Sequence, residues 1–104
     1  MAEIEGIWGK RLKEARSEAG LSQRQLGIDA GLDPGIASVR INRYELGVHK
    51  ADYKIAENIA KVLNVPTSYF YTADDELAQV VLIFHRSSKK KRGEILKTIT
   101  SSLT

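Results

Sequence analysis

The stretch that decides the fold is LSQRQLGIDAGLDPGIASVRINRYELG, Leu21 to Gly47. Ser22 is a residue type that accepts backbone N–H groups at a helix start, and the spacing of Leu26 and Ala30 predicts a short helix ended by Gly31. A second start follows at once. Asp33 suits an N-cap, Pro34 suits the first helical position, and Gly47 suits the residue just past a helix end. On a helical wheel Ala37, Ile41 and Tyr44 share the face expected to be buried. Val39 and Arg43 point the opposite way with Ile36 beside them, and Arg40 and Asn42 flank that outer face. A charged outer face is ordinary for a surface helix. What distinguishes this one is the short helix directly before it.

Outward from that pair, the apolar spacing stays helical and no segment alternates like a strand. The line Ile4, Trp8, Leu12, Ala15 and Ala19 predicts a helix from about Ile7 to Ala19, with Gly20 at its C-cap. Ile55, Ile59, Val62 and Leu63 predict another from about Asp52 to Leu63. Asn64-Val65-Pro66 ends it, and Thr67 is expected to cap a short turn over SYFY. Trp8, Tyr69, Phe70 and Tyr71 are expected to serve the core. A helix from about Asp74 has its acids where the helix dipole favours them. A last one carries Ile95, Leu96 and Ile99 on one side, with Gly93 weakening it. The expected architecture is all-α: a five-helix helix-turn-helix domain over 1–72 and a helical extension over 73–104.

Composition limits what the chain can do. It has 104 residues, 42% hydrophobic and 28% charged, enough for one domain with a modest core and not disordered by composition. With no cysteine there are no disulfides and no cysteine-ligated metal. His49 and His85 stand far apart, so no metal or other cofactor is expected. VVLIF, Val80 to Phe84, is far short of the roughly 20 apolar residues of a membrane span. The first residues lack a secretory signal, so a soluble cytoplasmic protein is expected. The net charge of +3 is compatible with a nucleic-acid partner. No nucleophile, acid–base pair or phosphate-binding loop points to an enzyme.

A helix, a tight turn and a second helix bearing outward arginines are the sequence of a helix-turn-helix, whose second helix enters the major groove of double-stranded DNA. Arginine is the commonest reader of guanine edges, and asparagine pairs with adenine. Taken with LSQRQLGIDAGL, INRYELG and IAENIAKVLNVPTSYFY, the chain resembles the Cro/phage-repressor (XRE) family of regulators from about Trp8 to Tyr71. The resemblance implies that Gln23 binds the DNA backbone, with Arg24 beside it, and that Arg43, Val39 and Ser38 read the groove, flanked by Arg40 and Asn42. It also implies phosphate contacts from His49 and Lys50, and an ion pair between Arg16 and Glu45. Glu45 near a helix C-terminus is disfavoured by the dipole, which itself asks for a cationic partner. The segment between Gly31 and Glu45 is about one turn longer than the family's. Either the second helix is longer or the turn is enlarged, and Asp33-Pro34 favours the longer helix. Val39 to Glu45 stay in register from the Glu-x-Gly end.

In the extension, Leu77, Val80, Val81 and Phe84 form a stripe that Leu82 and Ile83 widen almost around the helix. A terminal helix apolar on most sides needs two covers. The expected second cover is another copy of the chain, making a homodimer; the alternative is the last helix folding back through Ile95, Leu96 and Ile99. Asp74 to Glu76 are expected to cap a helix. Ser88 to Arg92, SKKKR, is expected to be a solvated helix end, with a phosphate clamp or a targeting signal as its alternatives. The function expected is sequence-specific DNA binding, with repression from a palindromic operator. The rival is an antitoxin-type module that binds a protein partner and DNA only secondarily.

Overall fold

The computed structural model describes residues 2–103, with side chains from Gly6 onward, so the side chain of Ile4 lies outside the described residues. The described residues form helices joined by turns and loops, with no strand: α1 Ala2–Glu18, α2 Gln23–Asp29, α3 Ala37–Leu46, α4 Tyr53–Leu63, a 3-10 turn Thr67–Tyr71, α5 Asp75–Arg86 and α6 Lys89–Ser102. α1 begins more than a turn before the apolar line predicts.

The helix boundaries follow local chemistry. Ser22, Asp52, Asp74 and Ser88 each accept a backbone N–H from the residue three places on, at 2.9–3.1 Å. Each such cap stabilises its helix by about 1 kcal/mol. The first four helices end alike: the residue after the left-handed one returns its N–H to a carbonyl five residues back, Leu21 to Arg16, Leu32 to Gly27, Val48 to Arg43 and Val65 to Ala60. In three of them the left-handed residue is glycine, including Gly47 at φ 75°; in α4 it is Asn64 at φ 54°, the non-glycine type that tolerates this region best.

Asp33 behaves differently from the expectation. Its carboxylate accepts the Gly35 N–H at 2.8 Å and its carbonyl accepts the Ile36 N–H at 3.0 Å. Asp33 to Ile36 therefore form a turn, and α3 starts at Ala37 with no side-chain cap. Asp and Pro suit a turn start as well as a helix start, and Gly35 tips the balance because glycine disfavours helix interiors. The extra length is an enlarged turn. Thr67, likewise, opens the 3-10 turn as its first residue and gives it no side-chain cap.

Leu12, Leu26, Ile41, Ile59 and Phe70 are fully buried and bring α1 to α4 and the 3-10 turn into one core. Trp8 packs on it, with ring centroids 4.7 Å from Phe70 and 6.2 Å from Tyr44. Tyr69 and Phe70 are buried, but Tyr71 is 72% exposed and does not close the core as expected. Two close approaches set the helix angles. A Cβ on Gly9 would lie 2.1 Å from the Glu45 carbonyl oxygen, and one on Gly27 would lie 2.7 Å from Ala37 Cβ. Only glycine lets α1 approach α3, and α2 approach α3, this closely.

α5 is fixed on the domain at both ends. At its start Arg11, only 3% exposed, donates to the carbonyls of Thr72 and Ala73 and to Asp75. At its end Arg86 donates to Asn64 O at 3.0 Å and to Glu18 at 2.9 Å. Ala78, Val81 and Leu82 face the core. Of the expected stripe, Val81 thus serves its own domain, Leu77 and Val80 point outward with Ile83, and Phe84 is half-buried against the Arg92 guanidinium. α6 buries none of its residues. It leaves the α5 stripe open, Leu77 being 53% and Val80 50% exposed, so the fold-back alternative is not what the chain adopts. The radius of gyration is 15.2 Å, against about 13 Å for a compact chain of this length, because α6 projects.

Candidate nucleic-acid interface

The outer face of α3 is built from behind. Ala37, Ile41 and Tyr44 are buried, which fixes the rotation of the helix and turns Ser38, Val39, Asn42 and Arg43 to solvent. Arg40 is half-buried at the edge of that face. Among the described residues neither Arg24, Arg40 nor Arg43 has a hydrogen-bond or ion-pair partner within the chain. Their guanidinium groups are therefore available to an external acceptor without losing an internal one. His49 and Lys50 are exposed in the loop after α3.

Polar side chains lock the frame. Arg16 donates from Nε to Glu45 Oε2 at 2.5 Å and from Nη2 to Oε1 at 3.2 Å, and its Nη1 reaches Leu21 O at 2.9 Å. The Arg16 and Glu45 side chains are 15% and 5% exposed. Such a bidentate pair, shielded from water, is orientationally strict. Glu45 also accepts from Gln23 Nε2 at 3.0 Å, and the same amide nitrogen donates to Asn42 Oδ1 at 3.1 Å. Arg16, Glu45, Gln23 and Asn42 thus form one chain of hydrogen bonds from α1 through α3 to the first residue of α2. The sequence pairs Arg16 with Glu45 and gives Gln23 and Asn42 roles apart from that pair; the structure joins all four. Asn58 adds a strut, donating to Ala30 O at 3.1 Å and holding the end of α2 against α4.

Several supporting residues are not legible from sequence. Gly9 has a signal: a glycine inside an amphipathic helix costs about 1 kcal/mol unless packing requires it. Arg11 and Arg86 have none, because their acceptors are mostly backbone carbonyls distant in sequence. Burial works against the Arg11 charge, but hydrogen bonds to Asp75 and Glu14 outweigh it and raise its pKa. Asp75 is held below the usual carboxylate range by the Arg11 hydrogen bond and then by Lys10. Burial pushes the Tyr69 hydroxyl up, with Glu14 adding to the shift.

A buried-faced helix with outward arginines unpaired among the described residues, preceded across a turn by a second helix whose first residue is tied to it, defines a helix-turn-helix protein. Residues 9–76 match the family model described as helix-turn-helix domain, and the chain belongs to this family, in its XRE-like form. It is 35% identical over 63 residues to uncharacterised HTH-type transcriptional regulators of Sinorhizobium medicae (strain WSM419) and Rhizobium meliloti (strain 1021). The match takes in 61% of this chain and 42% of the length of each relative. The crystal structure of transcriptional regulator BswR superposes with a TM-score of 0.84 at 40% identity, over 89% of this chain and 92% of that one. Among the described residues no helix is long and apolar enough to cross a membrane.

Proposed function

We propose that the protein is a non-enzymatic transcriptional repressor that binds a palindromic operator as a homodimer, with α3 in the major groove. The observation that carries this reading is the solvent-facing set Ser38, Val39, Asn42 and Arg43 on a helix whose rotation is fixed by three buried residues. Arg43 at the middle of that face is suited to guanine edges. Gln23, Arg24, His49 and Lys50 bracket the helix as backbone contacts, which supply affinity and register without reading sequence. The outward side of α5, Leu77, Val80 and Ile83, supports a second copy, since exposed patches of this kind mark interfaces. Two copies would present their α3 helices to half-sites about 34 Å apart.

Selection of bound sequences from random duplex DNA tests this directly: a two-fold symmetric consensus is expected, and enrichment of no sequence would overturn it. Sedimentation tests the dimer. Leu77→Ser with Val80→Ser should give a folded monomer with much weaker binding. Co-purification with a stoichiometric second protein, and no self-association, would favour the antitoxin-type reading instead.

A further inference from the structure

The helix-turn-helix leaves one sequence feature unused, the lysines of α6. The segment Lys89–Ser102 holds five cations and one acid, a net charge of +4, whereas the whole chain carries +3. Everything outside α6 therefore sums to −1. A duplex attracts and holds proteins chiefly through its phosphates. The net positive charge that this chain can offer them sits on the projecting helix.

The arrangement of these cations is not what helix stability asks for. Lys89, Lys90, Lys91 and Arg92 occupy the first turn, where the helix dipole disfavours positive charge. Arg92 serves the fold, because its Nε donates to Phe84 O at 2.9 Å and its Nη2 to His85 O at 2.6 Å. Lys91 pairs with Glu94 at 3.6 Å. Lys89, Lys90 and Lys97 are exposed and, among the described residues, without an ion-pair partner. Nothing among those residues uses their charge.

Their place in the fold is fixed. The Arg92 bonds hold the start of α6 to the end of α5. The Arg86–Glu18 pair, at 2.9 Å, holds that end of α5 to the end of α1. From Glu18 the chain passes through one turn to Ser22 and Gln23, where α2 begins. Through Arg92, Arg86 and Glu18 the start of α6 is thus tied to the end of α1, from which the chain turns into α2.

We infer that Lys89, Lys90 and Lys97 form a second duplex-binding surface, which meets the phosphate backbone flanking the sequence read by α3. The inference rests on the DNA-binding reading above. The surface supplies charge and no base contact, so it raises affinity for every duplex long enough to reach it. It also compensates a helix-turn-helix body that is, taken whole, slightly acidic.

The test is Lys89→Gln, Lys90→Gln and Lys97→Gln together, in the full-length chain, with folding checked by circular dichroism. Binding is measured against salt on the selected operator and on a random duplex, each with long and with minimal flanks. The slope of log K against log salt should fall in magnitude by about 2–3, from roughly 0.9 for each phosphate no longer neutralised. Affinity for operator and random duplex should fall by the same factor. On minimal flanks the variant should match the wild type. An unchanged slope on long duplexes, or an equal loss on minimal ones, overturns the inference. Wild-type protein that binds no duplex would instead overturn the reading on which it rests.

Discussion

Gly9→Ala should weaken the fold although it replaces a helix-interior glycine with the best helix former. In an open helix the change would gain about 1 kcal/mol. Here the added methyl would lie 2.1 Å from the Glu45 carbonyl oxygen, 2.8 Å from its carbon and 3.0 Å from the Tyr44 oxygen. Ordinary contact needs 3.4 Å or more, so α1 and the end of α3 must part by about an ångström. The obstructing atoms are backbone and cannot swing aside. Overpacking of this kind costs about 1–3 kcal/mol, occasionally more, and backbone obstruction places Gly9→Ala toward the upper end. Set against the propensity gain, the net loss is about 2 kcal/mol, or about 10 °C in Tm for a domain of this size. The displaced residue is Glu45, so the Arg16 and Gln23 hydrogen bonds loosen with it and operator binding falls further than stability alone requires. Gly93→Ala is the matched control: nothing lies within 4 Å of its added Cβ, and it should stabilise α6 by up to about 1 kcal/mol. Urea unfolding followed by circular dichroism reads both. Gly9→Ala as stable as the wild type, beside a stabilised Gly93→Ala, would refute the close approach of α1 to α3.

Arg43→Ala should weaken operator binding by about 1–3 kcal/mol and relax one position of the consensus, whereas Gln23→Ala should weaken operator and random duplex alike; equal losses for Arg43→Ala would make it a phosphate contact. Arg16→Ala and Glu45→Ala should each cost about 3 kcal/mol of stability, since each strands a partner largely shielded from water, and the double variant should cost less than their sum; additive losses in urea unfolding would remove the coupling. Burial, then Arg92 and Arg86, lower the His85 pKa below its ordinary 6.5, so the folded state favours neutral imidazole. Its contribution is therefore complete above pH 6.5 and is lost as pH falls through the depressed folded value, and His85→Gln should flatten that acid-side decline in Tm.

Much of this molecule was decided locally. Ser22, Asp52 and Asp74 start helices because a short side-chain oxygen reaches an N–H three residues on. Gly20, Gly31 and Gly47 stop them because a left-handed residue is needed there. The buried face of α3 follows from the spacing of Ala37, Ile41 and Tyr44, and that spacing alone turns Val39 and Arg43 outward. Interactions of this range depend on neighbours in sequence, and so a sequence determines them. Tertiary structure decided wherever one residue type had two equivalent uses or its partner lay far along the chain. Asp33-Pro34 could open a helix or a turn, and the Asp33 carboxylate and carbonyl close the turn by accepting the Gly35 and Ile36 N–H groups. Gly9 makes sense only once α3 lies across it. The apolar residues of α5 surround the helix, so periodicity could not say which were core. Arg11 and Arg86, each anchored to carbonyls more than twenty residues away, fix how α5 sits, turn Val81 inward and leave Leu77 and Val80 facing out.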